Sequence, residues 1–326
     1  MPIPPVTLTP PFNIVRCAYI DLAVTDLDAS QAFYDTTLGL TTTARDAEAL
    51  YLRGLEERNH HSFVLRKADV PACNALGFKV ATEGDLDIAK MWFEDQGLEA
   101  KFVPRFHQGR TLRARDPHGT VLEFFCKMDQ SERLLQKYGT YRGAHPQRID
   151  HFNCFSPNVQ SSVDFYAGLG FRTTEYTSTD DGAELWAAWM HRKGTVHDIA
   201  FTNGVGPRLH HVALWLPTAL HVIHLCDVMA TTGYLGHMER GPGRHGISNA
   251  FFLYVRDPDD HRVELYASDY LTVDPDLEPI RWSLTDTQRQ TLWGTPAPRS
   301  WFEEGSEFPG TAIRDPDLKA QPIIAH

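Results

Sequence analysis

The sequence predicts an α+β fold of four β-α-β-β-β units, paired into two modules that each close a half-barrel around a cavity. Three observations predict it. The stretch Asp257-Pro258-Asp259-Asp260-His261-Arg262-Val263-Glu264-Leu265-Tyr266 repeats the pattern of Asp116-Pro117-His118-Gly119-Thr120-Val121-Leu122-Glu123-Phe124-Phe125, with the same Asp-to-Glu spacing. Phe165-Tyr166 followed by Leu169-Gly170-Phe171 echoes Phe33-Tyr34 followed by Leu38-Gly39-Leu40. Within each half, short β-branched or aromatic runs give way to a helical signal after about ten residues, and the order then restarts.

The elements follow in order. Residues 15–24 read as a strand, and Asp26 or Asp28 caps the helix that carries Ala32, Phe33 and Tyr34, with Gly39 ending it. Strands at 49–53 and 62–65 complete the first unit. The second restarts at Leu76-Gly77-Phe78-Lys79-Val80, has a helix from about Ile88 to Gln96 and closes on Val121-Leu122-Glu123-Phe124-Phe125. The second half repeats this with a strand at 149–155, a helix at 159–168, strands at 183–190 and 196–201, a strand at 209–216, a helix at 220–232, and strands at 249–255 and 262–266. Residues 1–135 thus form an N-terminal module, 136–268 a C-terminal module, and the Pro- and Trp-rich residues 269–326 an extension wrapped over the active site and subunit contacts.

Composition bounds the function. A chain of 326 residues has room for two cores, and 42% hydrophobic with 22% charged residues is ordinary for a soluble globular protein. No apolar run approaches the roughly 20 residues of a membrane helix. The start Met1-Pro2-Ile3-Pro4-Pro5 lacks the basic and apolar parts of a secretory signal, and the five cysteines are scattered, so a reducing cytoplasm and inert thiols are expected. A net charge of −11 argues against nucleic acid or anionic lipid as a main partner, though not against an anionic small molecule.

Aligning the repeats places Tyr19 opposite His151 and Phe78 opposite His211, so only the second copy holds two histidines and a glutamate together. Alternation along a strand puts His151 and Asn153 on one face, His211 rather than His210 inward with Ala213, and Glu264 on the face opposite Val263 and Leu265. A carboxylate buried there would be costly unless it were paired or bound a metal. Two imidazoles and a carboxylate make the facial triad of non-heme Fe(II) sites with open positions; Mn(II) is an alternative, and Zn(II) also fits the ligands. Taken singly, each has a plainer reading, since a strand histidine is more often a hydrogen-bonded structural residue. The first half, with Tyr19, Phe78 and Glu123, should bind no metal and serve as scaffold. Further polar groups gather in the second half: His197 at a strand start, Arg240 to Gly246 as a Gly/Pro-ordered loop holding His245, and Tyr254 before Asp257-Pro258. His197 near a metal could act as acid or base, or it could simply cap a strand; His245 could be solvated and Tyr254 could be core.

Together, Asp150-His151-Phe152-Asn153, Ala188-Trp189-Met190-His191-Arg192-Lys193, Thr195-Val196-His197-Asp198, His210-His211-Val212-Ala213, Glu239 to Gly246 and the Glu264 strand resemble the type I extradiol ring-cleaving dioxygenases of the vicinal oxygen chelate superfamily, nearest its homoprotocatechuate and catechol 2,3-dioxygenase branches. The resemblance runs from Ile14 to Trp301. It implies that His151, His211 and Glu264 hold Fe(II) or Mn(II), that His197 is the acid/base residue, and that Tyr254 and His245 flank a catechol. It further implies that Asn153, Trp189 and Trp301 line the pocket and that Arg240, Arg289 and the position of Gln290 meet the ring substituent. The implied reaction opens a catechol with O2 beside the diol, giving a 2-hydroxymuconic semialdehyde type product, in a cytoplasmic homotetramer. One departure stands out: where the homoprotocatechuate enzymes carry two adjacent arginines, this chain has Arg289-Gln290. Loss of such a partner should weaken binding of a carboxylated side chain by about 1.5–3 kcal/mol, which leaves catechol or an alkylcatechol open beside homoprotocatechuate. A metal-dependent isomerase or lyase, which takes ligands from both halves, and a metal-free binding protein are the remaining alternatives.

Overall fold

The computed structural model describes residues 3–322; Met1 and Pro2, part of the start read above for a signal, and residues 323–326 of the extension lie outside the described residues. The fold is α+β, and its element order is the expected one of four β-α-β-β-β units. The first half contains β1 (Ile14–Val24), α1 (Leu27–Gln31), β2 (Thr41–Arg45), β3 (Ala49–Arg53), β4 (Phe63–Lys67), β5 (Ala72–Val80), α2 (Glu83–Asp95), β6 (Ala100–Arg105), β7 (Gln108–Arg115) and β8 (Val121–Phe125). The second contains β9 (Arg148–Ser156), α3 (Val159–Gly168), β10 (Arg172–Ser178), β11 (Leu185–His191), β12 (Ile199–Asn203), β13 (Arg208–Trp215), α4 (Ala219–Thr231), β14 (Met238–Arg244), β15 (Phe251–Arg256) and β16 (Arg262–Ala267). Each half makes one sheet, ordered β2-β3-β4-β1-β5-β8-β7-β6 and β14-β15-β16-β13-β9-β12-β11-β10. The antiparallel pairs β1/β5 and β9/β13 join two units at the centre of each sheet. The tail adds β17 (Ile280–Ser283) beside β10, α5 (Ser300–Glu303) and β18 (Ser306–Glu307) beside β13.

Local chemistry sets these boundaries. Asp26 caps α1 by accepting from the amides of Asp28 and Ala29, and Thr82 with Asp85 forms a reciprocal capping box on α2. The helix predicted around Phe33 continues past α1 as a π-helical turn over Ala32–Thr37. The segment 240–246, expected as a loop, is largely strand β14, whose register against β15 slips twice near its glycines and proline.

One apolar core spans both halves, with Phe78 packed edge-on against Phe152 and Phe171 at ring-centroid distances of 5.7 and 5.8 Å. This overturns the alignment that set Phe78 opposite His211. Gly77 pairs with Tyr19 and Glu123 as Ala213 pairs with His151 and Glu264, so the residue matching His211 is Ala75. A three-residue offset in the sequence alignment put a core residue where a cavity residue belongs.

The repeated motifs also explain each other. Asp116 and Asp257 close their turns by accepting backbone amides, from His118 and Thr120 in one and from Asp259 and His261 in the other. Each carboxylate's second oxygen accepts from a tyrosine of the opposite half: Tyr34 donates to Asp257 at 2.9 Å and Tyr166 to Asp116 at 3.4 Å. The Phe-Tyr and Asp-Pro signatures are thus two ends of one reciprocal clasp. No helix among the described residues is long and apolar enough to cross a membrane. Cys17, Cys73 and Cys154 are buried, while Cys126 and Cys226 are half-buried, and all five are free thiols.

Candidate active site

Three neighbouring strands build the centre. β13 lies between β9 and β16, and Ala213 pairs with His151 on one side and Glu264 on the other. The small Ala213 side chain leaves the space above it open, and His211 projects from the same face two residues earlier. His151 Nε2 and His211 Nε2 lie 3.0 and 3.2 Å from Glu264 Oε2, and the three donor atoms all fall within 4.8 Å of one another. Among the described residues this is the one such group of histidine, cysteine or acidic side chains.

Burial would force the Glu264 carboxyl upward, but His151 and His211 outweigh it and hold it well below the usual carboxylate range. The imidazoles are supported from behind. His151 Nδ1 donates to Asp150 Oδ2 at 2.9 Å, and Lys193 Nζ sits 3.6 Å from that oxygen, so the ammonium and the imidazole overcome burial and keep Asp150 strongly ionised. Burial lowers His211 to about 4, with Glu264 partly opposing. His211 Nδ1 meets His210 Nδ1 at 2.6 Å. Burial would lower His151 too, but Asp150 and Glu264 outweigh it and push it above its ordinary value while no ion is bound. Two imidazoles and an ionised carboxylate, converging on one face with the other face open to a pocket, are what a divalent first-row ion requires.

The pocket has a volume of about 560 Å³ counted to its open mouth. It brings together all twelve residues singled out from the sequence: His151, Asn153, Trp189, His197, His211, Arg240, His245, Tyr254, Glu264, Arg289, Gln290 and Trp301. The His197 ring lies 3.7 Å from that of His151, and its Nδ1 is buried without a partner among the described residues. Burial, with His151 and Lys193 adding to it, drives His197 well below its ordinary value, so it is neutral at pH 7. His245 donates from Nδ1 to the Gln290 carbonyl, which leaves Nε2 to accept from the Tyr254 hydroxyl at 3.0 Å. Burial and Arg240 bring His245 down to about 3.

Two guanidinium groups form the far wall. Arg240 donates to the Gln290 carbonyl and the Thr291 hydroxyl and lies 4.5 Å over Trp301, yet its Nε and second terminal nitrogen have no partner among the described residues. Arg289 lies 5.0 Å over Trp186 and likewise keeps one terminal nitrogen unpaired. Burial lowers both to about 10, against the opposing pull of Glu264 and Glu239 on Arg240 and of Asp286 on Arg289. Gln290 contributes its backbone carbonyl, tying Arg240 and His245 together.

Five lining residues were not read from the sequence: Trp186, Thr202, His210, Ile247 and Ser248. Thr202 was legible by alternation with Ala200 on β12. Trp186 was not, because the β10/β11 register slips beside it and lets two tryptophans three residues apart reach one pocket. Ile247 and Ser248 depend on a remote contact, in which the buried Glu175 accepts the Ser248 amide at 2.7 Å together with Tyr270 and Trp282 of the tail.

Paired modules around an open, buried His–His–Glu centre define the class, and comparison with known proteins narrows it. Residues 148–265 match the Glyoxalase/Bleomycin resistance protein/Dioxygenase superfamily. The chain is 29% identical to the manganese-dependent 2,3-dihydroxybiphenyl 1,2-dioxygenase of Geobacillus genomosp. 3, covering 87% of this chain and 95% of that protein. It is 27% identical to a metapyrocatechase of Geobacillus stearothermophilus, over 91% and 95%. The solved homoprotocatechuate 2,3-dioxygenase of Brevibacterium fuscum, in complex with 3,4-dihydroxyphenylacetate, superposes with a TM-score of 0.90 at 42% identity, covering 95% of this chain and 99% of that one. The chain belongs to the extradiol ring-cleaving dioxygenases of this superfamily.

Proposed function

We propose that this enzyme opens a catechol-type ring with O2 beside the diol, using Fe(II) or Mn(II) held by His151, His211 and Glu264. The convergence of those three donor atoms in the pocket carries the reading. When bound, the ion supplies a shared site that acidifies the diol and passes electron density between ring and dioxygen. His197, neutral and with a bare ring edge, takes a proton from substrate or returns one to the oxygen side. Tyr254 and His245, locked to each other, hold the ring from one flank, and Asn153, Trp189 and Trp301 shape the remainder and exclude water. In this reading residues 1–135 are scaffold, 136–268 the catalytic module and 269–326 the cover. We place the enzyme in the cytoplasm as a homotetramer, with catechol and O2 as its small-molecule partners.

The test is direct. Protein purified without air and loaded with Fe(II) or Mn(II) should consume O2 and turn a catechol solution yellow. Loaded protein that does neither ends the reading.

The unpaired nitrogens of Arg240 and Arg289 favour a ring bearing a carboxylate side chain, even with Gln290 where a second arginine would complete the pair. An anion there would satisfy two buried cations, worth about 1.5–3 kcal/mol, or roughly 10–100-fold in kcat/KM for 3,4-dihydroxyphenylacetate over 4-methylcatechol. Equal efficiency on the two would return the preference to catechol or an alkylcatechol.

A further inference from the structure

His210 and His211 are adjacent on β13, and alternation alone would turn His210 away from the centre. In the fold it sits at the register slip between Leu209 and His211, at the pocket's edge and under the tail rather than in solvent. His210 is 3% exposed, its Nε2 lies 2.9 Å from the Trp301 carbonyl of α5, and its Nδ1 lies 2.6 Å from His211 Nδ1. The hydrogens between Trp301 and His211 take their direction from the carbonyl at the tail end. A carbonyl oxygen only accepts, so His210 must carry a hydrogen on Nε2. A neutral His210 then has a bare Nδ1, which accepts from His211. His211 must therefore carry its hydrogen on Nδ1, and its Nε2, the atom 3.2 Å from Glu264, keeps the lone pair.

We propose that His210 is a positioning residue: it relays the Trp301 carbonyl to His211 and holds that ligand in the tautomer that can bind an ion, so metal occupancy and the seating of α5 are linked. The inference rests on the metal assignment above. It also separates the two imidazoles chemically. His151 leans on the ionised Asp150, whereas His211 leans on a neutral ring that ends at the tail. The tail is bound to the same strand by a second route, because the buried Arg262 donates to the carbonyls of His210, Ser300 and Glu304. Trp301 itself covers the pocket, 4.3 Å from Tyr254 and 4.5 Å from the Arg240 guanidinium. The residue that closes the substrate cavity and the residue that orients a metal ligand are thus joined through one imidazole.

Wild type, His210→Gln and His210→Leu are compared for Mn(II) affinity, read from the EPR signal of free Mn(II), and for amide hydrogen exchange of residues 299–304 with and without Mn(II). Glutamine offers an acceptor and a donor; leucine offers neither. Mn(II) affinity should fall about 10–100-fold in His210→Leu, the usual cost of losing a ligand's supporting partner, and stay near wild type in His210→Gln. Mn(II) should slow exchange across α5 in wild type and His210→Gln and leave it unchanged in His210→Leu. Undiminished affinity in His210→Leu, or equal loss in both variants, overturns the relay. So does wild-type exchange at α5 that ignores Mn(II), a result that requires no variant to fold. Wild type that binds neither Mn(II) nor Fe(II) overturns the metal assignment itself, a distinct failure.

Discussion

Glu123 in the first module and Glu264 in the second occupy matching strand positions, each paired across the sheet with a small residue, Gly77 and Ala213. Around Glu264 stand His151 and His211. Around Glu123 stand Tyr19 and Ala75, and the Tyr19 ring lies so close over Gly77 that a Cβ there would meet it at 2.2 Å. Tyr19 donates its hydroxyl to Glu123, Arg105 Nε reaches the same carboxylate at 2.9 Å, and Arg113 reaches it at 2.7 Å from the strand position that Tyr254 holds in the second module. Even the histidine has a counterpart, since the β1/β4 and β9/β12 registers set His61 against His197. The difference teaches that a buried carboxylate survives duplication only with a countercharge. One copy receives it from two guanidinium groups, and the other keeps an open cradle for an ion.

The comparison can be broken at several points. The largest effect belongs to His211→Ala, which should bring bound metal to near zero by elemental analysis and activity to background; retained metal would show that the centre does not rest on both imidazoles. His197→Phe should lower kcat by about 10²–10⁴ while metal content stays at the wild-type level, the outcome its proposed role as proton carrier rather than ligand requires. Parallel metal loss would make it a ligand instead. Glu123→Gln, which strips the charge from the first module's carboxylate, should cost about 1.5–3 kcal/mol in urea unfolding and leave metal content unchanged. Smallest of all is the double change Tyr19→His with Ala75→His. It should add no second ion per chain, because Arg105 and Arg113 still fill the place of the cation, and two ions per chain would refute that account.

Much of this was legible. The repeat of Asp116 to Phe125 in Asp257 to Tyr266 announced two matched modules, and strand alternation picked His151, His211 and Glu264 because each sits on a regular stretch where period two holds. Legibility failed where regularity did. Phe78 was set against His211 because Leu-Gly-Phe resembles Leu-His-His in spacing, whereas the strand pairing that fixes the true register is a contact between distant segments. The 240–246 stretch looked like a loop because glycine and proline mark breaks, yet neighbouring β15 supplies enough pairing to keep it a bulged strand. His210 was assigned outward by the same alternation that placed His211, and nothing local to β13 could reveal its place at the pocket's edge under α5.

The crossed tyrosine–aspartate bonds carry a final consequence. Neither half of the gene product can shelter its own turn aspartate, because Tyr34 serves Asp257 and Tyr166 serves Asp116. A protease nick in the connecting stretch 126–147 should therefore leave two fragments that migrate together on a native gel and part only under denaturant. An ancestral polypeptide of half this length, bearing one copy of each signature, would meet the same need by embracing a twin.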